Sequence, residues 1–103
     1  YQGFRAELSP ADRAGQYAAQ NWTPEERAAT LVLATSRFDA TNAAIWVDVA
    51  NLPYEMFGAG SVYDVSEAPE STSWIIAIGD ISATGEILDV IEGDGYKIYK
   101  LKE

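Results

Sequence analysis

The stretch Trp74-Ile-Ile-Ala-Ile-Gly-Asp-Ile81 is the most apolar run of the chain, and it constrains the fold more than any other feature. Five apolar residues in succession, with a polar loop ahead and Gly79 where a bulge or bend would fall, fit a buried central strand. The residues before it then serve as cover. Those after it form a hairpin that pairs beside it.

That hairpin is the clearest motif. Glu86-Ile-Leu-Asp-Val-Ile-Glu92 and Tyr96-Lys-Ile-Tyr-Lys-Leu101 flank Gly93-Asp-Gly95, and Asp94-Gly95 supplies the positive φ that a tight turn demands. One strand carries acids and the other Lys97 and Lys100, with Lys102 just beyond, so cross-strand charge pairs help to fix register. The lysines suggest edge-strand protection.

Ahead of the central run, Phe4, Ala6 and Leu8 alternate with Gly3, Arg5 and Glu7, which suits a short half-buried strand over residues 1–8. Ser9-Pro-Ala-Asp12 and Thr23-Pro-Glu-Glu26 are helix starts: a hydroxyl N-cap, proline at the first helical position and an acid reaching back to a free N–H. The first helix should end near Gln20, held weakly because its apolar side is mostly alanine with Gly15 inside. The second should run from Pro24 to about Ser36, with Ala28, Leu31, Val32 and Thr35 at helical spacing. Residues 37–42 look turn-forming, and Ala43–Ala50 alternates as a strand with Ile45, Val47 and Val49 on one face. Asn51–Gly58 fits one helical turn and Ser61–Val65 a short strand. The sum is an α+β fold in one domain over residues 1–103: an N-terminal short strand, two helices, then a mainly antiparallel sheet of about five strands ending in a hairpin.

Composition narrows the chemistry. At 103 residues and 48% hydrophobic content the chain can bury one modest core, and no run approaches the ~18 apolar residues of a membrane span. No signal segment opens this stretch, so the expectation is a soluble domain. Without histidine or cysteine, catalysis would rest on carboxylates, Arg, Lys, Tyr, Ser or Thr. The hydroxyl cluster Ser71-Thr-Ser73 therefore has no histidine to activate it, which excludes a hydrolase triad of that kind.

The net charge of −9 is unevenly placed. Residues 1–42 hold four Arg and five acids, residues 43–92 nine acids and no base, and residues 93–103 three Lys and two acids. Such a field repels nucleic acid and membrane surfaces and attracts cations or basic proteins. The carboxylates near the end of the chain match no calcium loop, so no metal site is assigned and a solvated acidic face is the plainer reading. Trp22, Trp46 and Trp74 suit core positions better than a binding platform.

Between Ala44 and Ile81 lie a strand (Ile-Trp-Val-Asp-Val49), a Leu-Pro-Tyr-Glu-Met-Phe57 segment, a polar loop (Glu67-Ala-Pro-Glu70) and a strand ending Ala-Ile-Gly-Asp-Ile81. This order resembles the second half of the ADP-ribosyltransferase fold of bacterial toxins of the cholera and pertussis type. The resemblance implies transfer of ADP-ribose from NAD, with Arg5 on the diphosphate, the hydroxyls of Thr35 and Ser36 for positioning, and Glu70 as the catalytic carboxylate at the ribose and its oxocarbenium-like transition state. The alternative is a non-enzymatic acidic binding module, such as an inhibitor, an immunity-type protein or a nucleic-acid mimic. It would need no cofactor and would present the base-free segment 43–92 to the basic surface of a protein partner. A third reading has the Gly95 hairpin edge add to a neighbour's sheet. Convergence of Arg5, Ser36 and Glu70 would favour the transferase.

Overall fold

The computed structural model describes residues 9–47 and 52–102. Along the chain these form α1 (Pro10–Asn21), α2 (Pro24–Ala28), β1 (Thr30–Ala34), α3 (Arg37–Val47), β2 (Tyr54–Met56), β3 (Ser61–Asp64), a 3-10 turn (Val65–Glu67), β4 (Trp74–Ile78), β5 (Ile81–Thr84), β6 (Asp89–Gly93) and β7 (Tyr96–Lys100). The fold is α+β, with a five-stranded sheet in the order β2-β1-β4-β7-β6 and a two-stranded parallel sheet, β3-β5. The larger sheet is mixed: β1 runs parallel to β2 and β4, while β7 runs antiparallel to β4 and β6. The short strand expected over residues 1–8 lies outside the described residues.

β4 is the middle strand, and all five of its residues are buried. Alternation divides it between two clusters. Trp74, Ile76 and Ile78 join Val32, Ala34 and Ile98 under α1 and α3, whereas Ile75 and Ala77 join Leu31, Leu33 and Tyr99 under β3 and β5. Each fully buried isoleucine contributes about 1.5–3 kcal/mol by leaving water, so this strand ties both layers together. Gly79 then turns the chain at φ +89°.

Both helix starts form as the sequence predicts. Asp12 N–H donates to Ser9 Oγ (3.3 Å) while Ser9 N–H donates to the Asp12 carboxylate (3.1 Å), and Thr23 and Glu26 repeat the exchange. The first helix is not weakly held, however. Its small residues Ala11, Ala14, Gly15 and Ala18 are buried, and a Cβ at position 15 would fall 2.5 Å from Trp46 Cβ on α3. Small side chains here permit close helix approach.

Three other expectations are corrected. The second helix stops at Ala28, and Thr30–Ala34 is a wholly buried strand. A short apolar run has no diagnostic period, and a parallel strand covered on both faces shows no alternation. The turn over 37–42 and the strand over 43–50 are largely α3, whose Ala40, Ala43 and Val47 face the core while Ile45 stands exposed. Parallel β1 and β2 require a crossover connection, and that demand overrides the local β preference of Ile45-Trp-Val47. Residues 48–51 lie outside the described ones. Within 51–58, the expected helical turn is replaced by the short strand β2.

The hairpin pairs beside β4 as expected, with Gly95 at φ +87°. Its two strands exchange the roles expected of them: lysine-bearing β7 is interior, and acidic β6 is the edge. Carboxylates, not lysines, guard this edge.

Candidate functional site

Four residues were singled out by sequence. Arg5 lies outside the described residues. Thr35 follows β1 and is exposed, its side chain against Gly79. Ser36 caps α3: its Oγ accepts from Asp39 N–H (3.2 Å) and its carbonyl from Ala40 N–H (3.2 Å). Glu70 is exposed on the loop before β4, and its backbone carbonyl accepts a hydrogen bond from Lys102 Nζ.

The register decides whether these residues meet. β1 and β4 run parallel with Thr30 beside Trp74 and Ala34 beside Ile78. Thr35 and Ser36 therefore leave the C-terminal ends of the two strands, whereas Glu70 precedes the N-terminal end of β4. The four steps from Trp74 to Ile78 span about 13 Å at strand rise. The structure does not bring Ser36 and Glu70 together.

The loop carrying Glu70 is anchored rather than loose. Thr72 is buried and its N–H donates to Pro69 carbonyl (2.9 Å), while Ser73 and Trp74 N–H groups both donate to Ala29 carbonyl (2.8 and 3.1 Å). Around it opens a cleft of about 330 Å³. Val65, Ala68, Pro69 and Leu101 give it apolar walls, and Glu70, Glu86 and Lys102 give it charge. Two carboxylates against one ammonium favour a cationic occupant over a diphosphate.

The tryptophans divide. Trp22 and Trp74 are buried and stacked, with ring centroids 4.3 Å apart, and the Lys100 ammonium lies 5.7 Å from the centroid of Trp74. Trp46 is partly exposed, and its indole N–H donates to Asp12 (2.8 Å). That bond, more than the cap bonds from Ser9, holds the Asp12 carboxyl below its usual pKa against the opposing effect of burial. Asp64 is lowered too, by the backbone N–H and then the hydroxyl of Ser66.

Tyr63 carries no motif that marks it in the sequence. Its ring is buried against Phe57, its hydroxyl has no close hydrogen-bond partner among the described residues, and burial, then the charges of Glu55, Glu67 and Asp64, push its pKa up, with Glu55 contributing last as an acceptor for the phenol proton. It stays a neutral phenol at neutral pH. Among the described residues no group of three carboxylates is placed to hold a metal ion.

The acids share one property. Between residues 52 and 92, every carboxylate side chain from Glu55 to Glu92 is exposed, and no base interrupts them. The chain matches no protein-family profile and no solved structure.

Proposed function

We propose that this protein is a non-enzymatic acidic binding module that presents segment 43–92 to the basic surface of a protein partner. The observation that carries the reading is the exposure of all eight acids described in that segment, without a lysine or arginine among them. The ion pair from Arg13 to Asp94 (3.1 Å) lies outside it. Exposed hydrophobic side chains, among them Tyr54, Met56, Val62, Leu88 and Val90, are interspersed with these acids. That mixture suits a protein partner, because charge steers the encounter and apolar contact holds it.

The separation of Thr35 and Ser36 from Glu70 weighs the same way, since transfer chemistry needs its positioning and catalytic groups around one substrate.

The test uses a polylysine peptide as probe and follows its affinity against salt. Steep weakening with salt is expected. Neutralising Asp80, Glu86, Asp89 and Glu92 together (Asp→Asn, Glu→Gln) should weaken binding far more than neutralising Glu25, Glu26 and Asp39. Equal effects from the two sets would overturn the reading. So would NAD binding by calorimetry that Glu70→Gln abolishes.

A further inference from the structure

β6 is the last strand of the five-stranded sheet, and among the described residues β7 is its only neighbour. It is five residues long, contains no proline and is exposed at every position but the half-buried Ile91. An exposed strand edge presents a row of backbone donors and acceptors that another strand can pair with; on β6 the Val90 N–H is held by the Asp89 carboxylate (2.9 Å), a bond an incoming strand would exchange for its own carbonyl. The opposite edge of the sheet differs: β2 has three residues and follows Pro53.

The inner side of β6 shows what complements it. The register sets Asp89 opposite Lys100, Val90 opposite Tyr99, Ile91 opposite Ile98 and Glu92 opposite Lys97. Acids meet lysines and apolar residues meet apolar residues. Side chains on an edge strand stand above and below the sheet, so a strand laid along the outer side meets the same four residues in the same order. Leu88 and Val90, 54% and 41% exposed, offer that strand apolar contact.

We infer that the outer edge of β6 is a strand-addition site for an extended segment of a basic partner, patterned basic-apolar-apolar-basic opposite Asp89-Val90-Ile91-Glu92. The inference rests on the acidic-module reading and gives it a location and a partner class. Charge complementarity selects the occupant. A second copy of the chain is disfavoured, because antiparallel pairing of Val90 with Ile91 of another copy sets Asp89 against Glu92 across the join, between chains of net charge −9.

The experiment uses the full chain and a labelled peptide carrying Tyr-Lys-Ile-Tyr-Lys-Leu, the sequence of residues 96–101. Two controls accompany it: a peptide with Glu for both Lys, and one of the same composition with its two Lys adjacent. Anisotropy gives affinity, and amide exchange gives position. The patterned peptide should bind best and slow exchange at residues 88–93. Asp89→Asn with Glu92→Gln, verified as folded by thermal melting, should weaken it about tenfold. Val90→Lys, a single exposed change, should weaken it as well while leaving the acids in place.

Equal binding of the two basic peptides with no protection of β6 would overturn the strand-addition site and leave the acidic module standing. Failure of every basic probe, polylysine included, would overturn both. Self-association through β6, seen by sedimentation together with protection of residues 88–93 in the free chain, would overturn the choice of occupant.

Discussion

The two edges of the sheet are closed by different means. β2 is too short to template much pairing, and Pro53 ahead of it has no N–H to give. β6 is five residues long, and among its described residues Asp89 and Glu92 discourage a newcomer by charge, Asp89 also by holding the Val90 N–H (2.9 Å). A steric guard refuses every strand alike. A charged guard refuses like charge and admits opposite charge, and salt weakens both effects. The same sheet therefore has one edge that is shut and one that is selective.

The most forceful way to break this comparison is to remove what holds β6 in place. Ile98 is fully buried on β7, between Ile76 on β4 and Ile91 on β6. Ile98→Ala should cost about 2–5 kcal/mol in urea denaturation. Amide exchange in the variant should quicken at β6 and β7 before β1 and β2. Equal quickening at both edges would show that they do not behave separately.

A smaller effect is expected at the hairpin turn. Gly95 has φ +87°, and a Cβ there would fall 2.6 Å from the Pro10 side chain at the start of α1. Gly95→Ala should cost about 1–3 kcal/mol, because backbone strain and a close contact act together. Thermal melting gives the loss. An unchanged melting temperature would mean that α1 does not brace this edge.

These elements also mark how much was legible in the sequence. Trp74–Ile78, both capping boxes and the hairpin declare themselves through local chemistry: an apolar run, a hydroxyl–acid pair at fixed spacing, and a glycine where φ must be positive. Thr30–Ala34 and α3 do not. Their states depend on one strand being covered on both faces and on a crossover between parallel neighbours, which are facts about distant residues. Strand order in the hairpin was hidden for a similar reason. Ile98-Tyr99 and Val90-Ile91 are alike as adjacent apolar pairs, and only packing against β4 makes the lysine strand interior. Thr35, Ser36 and Glu70 lie on segments that sequence could name, yet the parallel register of β1 and β4 sends them to opposite ends.

At the β2 side, Tyr63 sharpens the contrast. Glu55 on β2 stands opposite Leu33, whose side chain belongs to the cluster that holds Tyr63, and its charge raises the pKa of that phenol. The Glu55 carboxylate acts on the Tyr63 phenol, whose hydroxyl has no close hydrogen-bond partner among the described residues. Tyr63→Phe removes a buried hydroxyl that Glu55 satisfies only weakly and should raise stability by about 1 kcal/mol. A loss of stability would show that Glu55 holds the hydroxyl firmly.

The gentlest probe is pH, acting through Asp12. Its carboxylate accepts from Trp46 on α3 and closes the α1 cap with Ser9, and the same end of α1 touches the hairpin through Pro10 beside Gly95 and Arg13 to Asp94. The folded pKa lies below the ordinary aspartate value of 3.8, so the stabilisation is fully present above 3.8 and is lost as pH falls through the lower folded value. Acidification below pH 4 should then loosen the β6–β7 turn before β2, seen as faster amide exchange at residues 93–96. In Asp12→Asn that pH step should shrink, because the titrating group is gone. The step should also survive in moderate salt, since hydrogen bonds at contact distance are screened less than exposed charges a Debye length apart. If it vanished with salt, the diffuse field of the −9 chain rather than the Asp12 bonds would be setting the acid limit of the selective edge.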